Sequence, residues 1–254
     1  MTQLDDPSLT RRERQREATF AEIVTSSREL LAEGAEVSLR AVAQRMGMTA
    51  PALYRYVDSY QELVDLVAFE IDKAATATFA AAADELDADD APGRLIAAVT
   101  EFRMWAHTNR SEFAMVFANP IADAGCLRRE LITSASSGHL MTDLMYDVWA
   151  QRDFPVPSLD SLPPAVREAL LEPLIPAKVE KVPLESRGLV WIYMQGWTQL
   201  YGVVVLEVMG HIDPRVIESG EMYLDVIRNF APTLDLVDEL PRLEQLIRRR
   251  LAQG

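Results

Sequence analysis

The chain has 254 residues, 49% of them hydrophobic and 25% charged, with a formal net charge of −14. That length and apolar content sustain a buried core and exclude disorder as the starting reading. The acidic balance excludes a uniformly basic nucleic-acid binder. Contact with a polyanion would need a locally basic stretch within one Debye length, about 8 Å in physiological salt.

Alternation at period two is scarce, whereas Ala, Leu, Glu and Arg recur every three or four residues, which predicts an all-α protein. Arg11, Arg12, Arg14 and Arg16, opposed only by Glu13, form a basic arm over residues 1–17. The arm overlaps a first helix predicted from about Arg11 to Glu33, with Phe20, Ile23, Val24, Leu30 and Leu31 as its apolar stripe and Gly34 as its stop. Ser38 caps a second helix that ends at Gly47, and Thr49 caps a third that runs through Val57, with Pro51 in its first turn. Ser59 and Glu62 form a capping box for a fourth helix ending near Asp84. Asp87 to Gly93 reads as a loop. Helices are predicted over Arg94–Thr108, Ser111–Phe117 and Leu127–Ala150. A proline-bearing stretch from Phe154 to Pro183 holds one short helix around Ala165–Glu172. Glu185–Met209, Pro214–Phe230 and Leu236–Ala252 complete the set.

Ala43, Gly47 and Leu53 belong together. A small residue lets two helices approach, a glycine supplies the positive φ of a tight turn, and a later apolar residue plugs the angle between them. Such a pair inserts the start of its second helix into the major groove. With Leu53 and Val57 turned inward, Thr49, Ala50, Pro51, Ala52, Tyr54, Arg55 and Tyr56 are left for the groove and its rims. The small residues suit thymine methyls, Arg55 suits guanine or phosphate, and the hydroxyls suit phosphate.

The run VSLRAVAQRMGMTAPALYRYVDSYQELVDLV resembles the TetR family of repressors, whose hallmark is a recognition helix ending in tyrosine-x-tyrosine/phenylalanine and followed by a capped fourth helix. The match covers about Ala18 to Ile71. By that resemblance Ser38, Arg40, Thr49, Ala50, Pro51, Ala52, Tyr54, Arg55 and Tyr56 are candidate contacts to a double-stranded operator, joined by Arg11, Arg12 and Arg14 of the arm. Tyr60 stands where the family usually has lysine, so a phosphate-binding cation is missing there and the arm is left to compensate. WTQLYGVVVLEVMGHI, from Trp197 to Ile212, is similar to a C-terminal domain type with a tryptophan–histidine–glycine signature, although Tyr201 replaces the histidine. The resemblance implies two domains: residues 1–72 bind DNA, and residues 73–254 bind an effector and dimerise. It also implies a homodimer built from two late helices, with Gly196, Trp197, Gly202, Tyr223, Ile227 and Phe230 as candidate interface residues.

Phe102, Trp105, Met115, Phe117, Met141, Met145, Trp149, Trp191 and Met194 supply aromatic and methionine surface for an apolar or aromatic effector, against the plainer reading that they are core. From Gly188 to Leu206 no side chain is charged, but Gln195, Thr198 and Gln199 would be costly in lipid, so a buried interface helix is expected rather than a membrane span. The single Cys126 excludes an intrachain disulfide and suits a reduced, cytoplasmic compartment, and no secretory leader is expected at the polar start. His107, His139 and His211 lack metal spacing, so neither metal nor cofactor is expected. No phosphate loop, nucleophile elbow or zinc signature is present, and no catalytic residue is assigned. The competing reading is a helical small-molecule-binding protein that has lost DNA binding, which the acidic balance and Tyr60 keep open.

Overall fold

The structure, a computed structural model, describes residues 10–118, 136–171 and 181–253. Among these residues there is no strand. The chain forms α1 (Arg11–Ala32), α2 (Leu39–Arg45), α3 (Ala50–Leu53), α4 (Tyr60–Asp84), α5 (Ala91–Thr108), α6 (Arg110–Phe117), α7 (Ser137–Arg152), α8 (Pro164–Leu171), α9 (Gly188–Val208), α10 (Pro214–Ser219), α11 (Glu221–Phe230) and α12 (Leu240–Leu251). They form two compact units. The described part of the first is residues 10–71 with 111–118; the second holds 72–110, 136–171 and 181–253. The division along α4 falls at 71/72, and the segment beginning at Ser111 groups with the N-terminal unit rather than with the rest of the C-terminal half.

The N-terminal unit is organised by local stop and start chemistry. Thr10 and Glu13 close a reciprocal capping box at the start of α1: the Glu13 N–H donates to the Thr10 hydroxyl and the Thr10 N–H to the Glu13 carboxylate. The helix expected from about Arg11 therefore starts there, with residues 11–17 of the basic arm in its first turns, because two orphan N–H groups are satisfied. Gly34 and Gly47 end α1 and α2 with φ of +70° and +67°, the left-handed cap that only glycine adopts without strain. Ile23, Val42, Leu53, Val57, Leu63 and Val67 are the buried pegs of the core. Glu112 of α6 reaches Arg28 of α1 at 2.6 Å.

In the C-terminal unit several boundaries differ from expectation, each for a local reason. α5 starts at Ala91 because Asp90 accepts the Gly93 N–H at 2.9 Å, which turns the expected loop into a cap. Pro214–Phe230 is two helices, not one. Gly220 adopts a φ of +68° and its N–H closes on the Ile217 carbonyl, ending α10 before α11 begins. A 3-10 turn over Ala231–Leu234 and a left-handed Asp235 delay α12 to Leu240. The expected helix over Leu127–Ala150 is described only from Ser137; its first part, with Cys126 beside it, lies outside the described residues. Leu184–Val208 is long and apolar enough by composition to cross a membrane. Here its Leu189, Val190, Ile192, Val203 and Val204 are core, and Glu207 near its end is fully buried.

Candidate DNA interface and candidate ligand cavity

α2 and α3 are joined by the expected device. Ala43 is 1% exposed, and its carbonyl accepts the Met48 N–H at 2.9 Å across the Gly47 turn; Leu53, at 0%, plugs the angle. The Ser38 hydroxyl caps α2 by accepting the Ala41 N–H at 3.2 Å. Thr49 makes no side-chain cap, so its hydroxyl is not committed to α3. The recognition helix is shorter than expected. After Leu53 the backbone tightens, with the Arg55 and Tyr56 N–H groups bonding three residues back to Ala52 and Leu53, a common way of satisfying carbonyls at a helix end.

The predicted contact residues divide by exposure. Arg40, Thr49, Pro51, Tyr54 and Arg55 face solvent, while Ser38, Ala50, Ala52 and Tyr56 are half-buried. The two tyrosines separate. Tyr54 is 49% exposed, whereas the Tyr56 ring meets Phe20 of α1 edge-on at 5.9 Å between centroids. Arg16 in turn lies over the Phe20 ring, and Arg11 and Arg12 project into solvent while Arg14 is half-buried. The cap of α4 is only partly the box expected. Ser59 accepts the Glu62 N–H, but Glu62 reaches back to the Asp58 N–H.

The C-terminal unit holds a partly open apolar cavity of about 70 Å³ among α5, α7, α9, α11 and α12. Leu95 and Val99, Met141 and Met145, Tyr193, Trp197 and Leu200, and Ile227 and Phe230 all contribute to its wall. Gly196 makes the wall continuous: a Cβ there would fall 2.7 Å from the Phe230 ring, so α9 and α11 touch through a glycine.

In the same unit, Glu207 on α9 is completely buried and accepts from Arg103 on α5 at 2.7 and 3.2 Å. His107 shares the same carboxylate at 2.9 Å. Arg103 also donates to the Ile217 carbonyl and lies over the Tyr223 ring. Burial pushes the Tyr223 phenol far above the ordinary tyrosine range, although Thr100 hydrogen-bonds its oxygen.

Comparison with known proteins then decides the family. Residues 95–229 match the model for the tetracyclin repressor-like, C-terminal domain, which is more than half of the chain. The chain belongs to the TetR family. The curated relatives it matches include the HTH-type transcriptional regulators Rv1816 of Mycobacterium tuberculosis (strain H37Rv) and Mb1846 of Mycobacterium bovis. Each is 37% identical over 108 residues, covering 42% of this chain and 46% of the relative, so the match spans under half the relatives' length. A crystal structure of SCO4313, assigned a regulatory role, superposes with a TM-score of 0.53 at 23% identity, covering 85% of this chain and 98% of that one. That likeness concerns the fold.

Within this TetR-family fold the remaining sequence candidates scatter. Of the expected effector contacts, Met141 and Met145 line the cavity. Phe102 and Trp105 pack against Phe79 at 5.7 and 5.9 Å, Phe102 also against Trp197 at 5.3 Å. Trp149 donates its indole N–H to the Phe154 carbonyl, and Trp191 and Met194 are half-buried on α9. Met115 and Phe117 belong to the N-terminal unit, because α6 packs there. Of the expected interface residues, Gly196, Trp197, Ile227 and Phe230 line the cavity of their own chain. Tyr223 is enclosed in its own chain's core, because its ring supports Arg103 and its hydroxyl meets Thr100. Gly202 differs: a Cβ there would meet nothing within 4 Å. The Arg103–Glu207 pair was the feature sequence reasoning missed. Its only signal was a glutamate closing a long apolar run.

Proposed function

We propose that this TetR-family chain is a ligand-responsive repressor that reads a palindromic operator as a homodimer. The observation that carries the reading is the surface of the α2–α3 pair. Leu53 and Val57 are consumed in the core, while Arg40, Thr49, Pro51, Tyr54 and Arg55 project from one short turn-linked unit with no apolar cover. Residues 1–72 would supply DNA binding. Residues 73–254 would supply the effector cavity and the dimer. A cytoplasmic location accords with that role, and no step requires a metal, a cofactor or catalysis.

The dimer is supported by α9. Gln195, Thr198, Gln199 and Leu206 are exposed at helical spacing, with Gly202 open between them. Glycine inside a helix costs about 1 kcal/mol relative to alanine, a cost that close approach of a second backbone would offset. Recognition helices of such a dimer sit roughly 34–36 Å apart, one turn of duplex. An effector in the apolar cavity would favour a dimer whose spacing no longer fits, which lowers operator affinity through coupling between the sites.

Fluorescence anisotropy on a duplex recovered by the chain itself tests this. Tyr54→Ala and Arg55→Ala are expected to weaken binding, and enlarging Ala50 or Ala52 to change sequence preference. A discriminating base contact is worth about 1–3 kcal/mol. Unchanged binding in all of them would overturn the interface. The half-exposed Tyr60, in the place of a phosphate-binding lysine, supports the second reading, a ligand-binding protein without an operator.

A further inference from the structure

The cavity of the C-terminal unit has a wall of one chemical kind. Among its described lining residues none is charged and none carries a side-chain amide; Tyr193 and Trp197 alone bring a side-chain hydrogen-bond donor. The exposure of the wall is uneven. Leu95 on α5, Met141 and Met145 on α7 and Leu243 on α12 are buried, as are Leu234 and Leu236 between α11 and α12. The half-buried lining residues come from two helices only: Gly196 and Trp197 on α9, and Val226, Ile227 and Phe230 on α11. The cavity floor is thus built by α5, α7 and α12, and its open side lies along α9 and α11, which touch where Phe230 packs on Gly196.

A charged group entering such a wall gives up its hydration and finds no opposite charge to replace it. The open side offers none either, because its five half-buried lining residues are all apolar or aromatic. An apolar body loses nothing on entry, and a hydroxyl loses far less than an ion. With the cavity read as the effector site, we infer that the effector is an uncharged apolar molecule that enters between α9 and α11. Its carbon body lies against Met141 and Met145, whose unbranched thioethers adapt to shape, and a hydroxyl or carbonyl is left at the opening beside Trp197 and Ile227. A cavity of about 70 Å³ is smaller than the roughly 150 Å³ that holds benzene. Only a short, branched body is therefore enclosed, and a longer molecule projects between the two helices.

Calorimetric titration of the full chain at neutral pH with four probes of one shape tests it: 2-methylpentane, 3-methylbutan-1-ol, 3-methylbutylamine and 3-methylbutanoate. The two uncharged probes are expected to bind at least about tenfold tighter than the cation and the anion alike. The entry side is tested by placing a charge on it. Ile227→Lys should tighten 3-methylbutanoate at least about tenfold without tightening the amine, and Val226→Lys carries this arm if Ile227→Lys does not fold. A charged probe that binds the unaltered chain as tightly as the alcohol overturns the ligand class while the cavity reading stands. A carboxylate that gains nothing from either lysine overturns the entry between α9 and α11. If no probe binds, the cavity reading falls and the ligand class with it.

Discussion

Around α2, Arg45 meets Glu29 and Glu33 in the open, both carboxylates 56% exposed; around α5, Arg103 meets Glu207 with 8% and 0% exposure. The first pair is held in water, where an ion pair contributes about 0–1 kcal/mol. The second has been drawn out of water, and neither partner is tolerable there without the other. The N-terminal unit thus keeps its charges and its Tyr54 for an external surface, and the C-terminal unit uses polar groups to fix its interior. Substitutions in the two units should consequently fail in different assays.

The largest effect is expected at the buried pair. Glu207→Gln strands the Arg103 guanidinium and should cost about 3–5 kcal/mol in denaturant unfolding, whereas replacing both partners by apolar residues should recover most of it. A loss below about 1 kcal/mol would put this pair in the same class as Arg45–Glu33 and erase the contrast. Next in size, Gly202→Trp should leave the chain folded but weaken self-association at least about 100-fold in sedimentation, since a bulky side chain at the centre of an interface removes close packing. In the N-terminal unit, Arg40→Ala and Arg55→Ala should stay within about 0.5 kcal/mol in stability while weakening DNA binding. Arg11→Ala with Arg12→Ala should flatten the dependence of log K on log salt by up to about 0.9 per lost phosphate contact.

The smallest effect concerns pH. The Asp72 carboxyl titrates above the usual aspartate range in the folded chain because burial disfavours the charge. Between the unfolded and folded values the folded state binds more protons, so stability falls as pH rises through that window and stays lower above it. Asp72→Asn should remove this falling component from the acid limb of Tm against pH. A limb unchanged by the substitution would mean Asp72 is not desolvated.

The parts of the molecule that were legible in the sequence are those whose cause is local. Ala43, Gly47 and Leu53 sit within eleven positions, and Gly34 and Ser38 act on their own helix ends, so composition and spacing carry the information. Asp90 as a cap was missed because its neighbours Asp87 and Asp89 made the segment look like a loop. Gly220 was missed because Val216 and Tyr223, on either side, keep an apolar stripe that one helix would also show. Glu207 is harder still: Arg103, its partner, is 104 positions away, and nothing near either residue announces the other. Trp197 is expected at an interface because its helix is apolar on nearly all faces, and Phe230 because it ends the apolar stripe of the next helix; sequence does not show that both also line their own chain's cavity, where Phe230 packs at Gly196.

The most direct test of the account is selection of bound fragments from random duplex DNA by the purified full chain at low salt, followed by sequencing. The account predicts an inverted repeat whose half-sites are centred roughly 10–10.5 base pairs, or a multiple of that, apart. A folded chain that enriches no motif, or only an unpaired half-site, would contradict it.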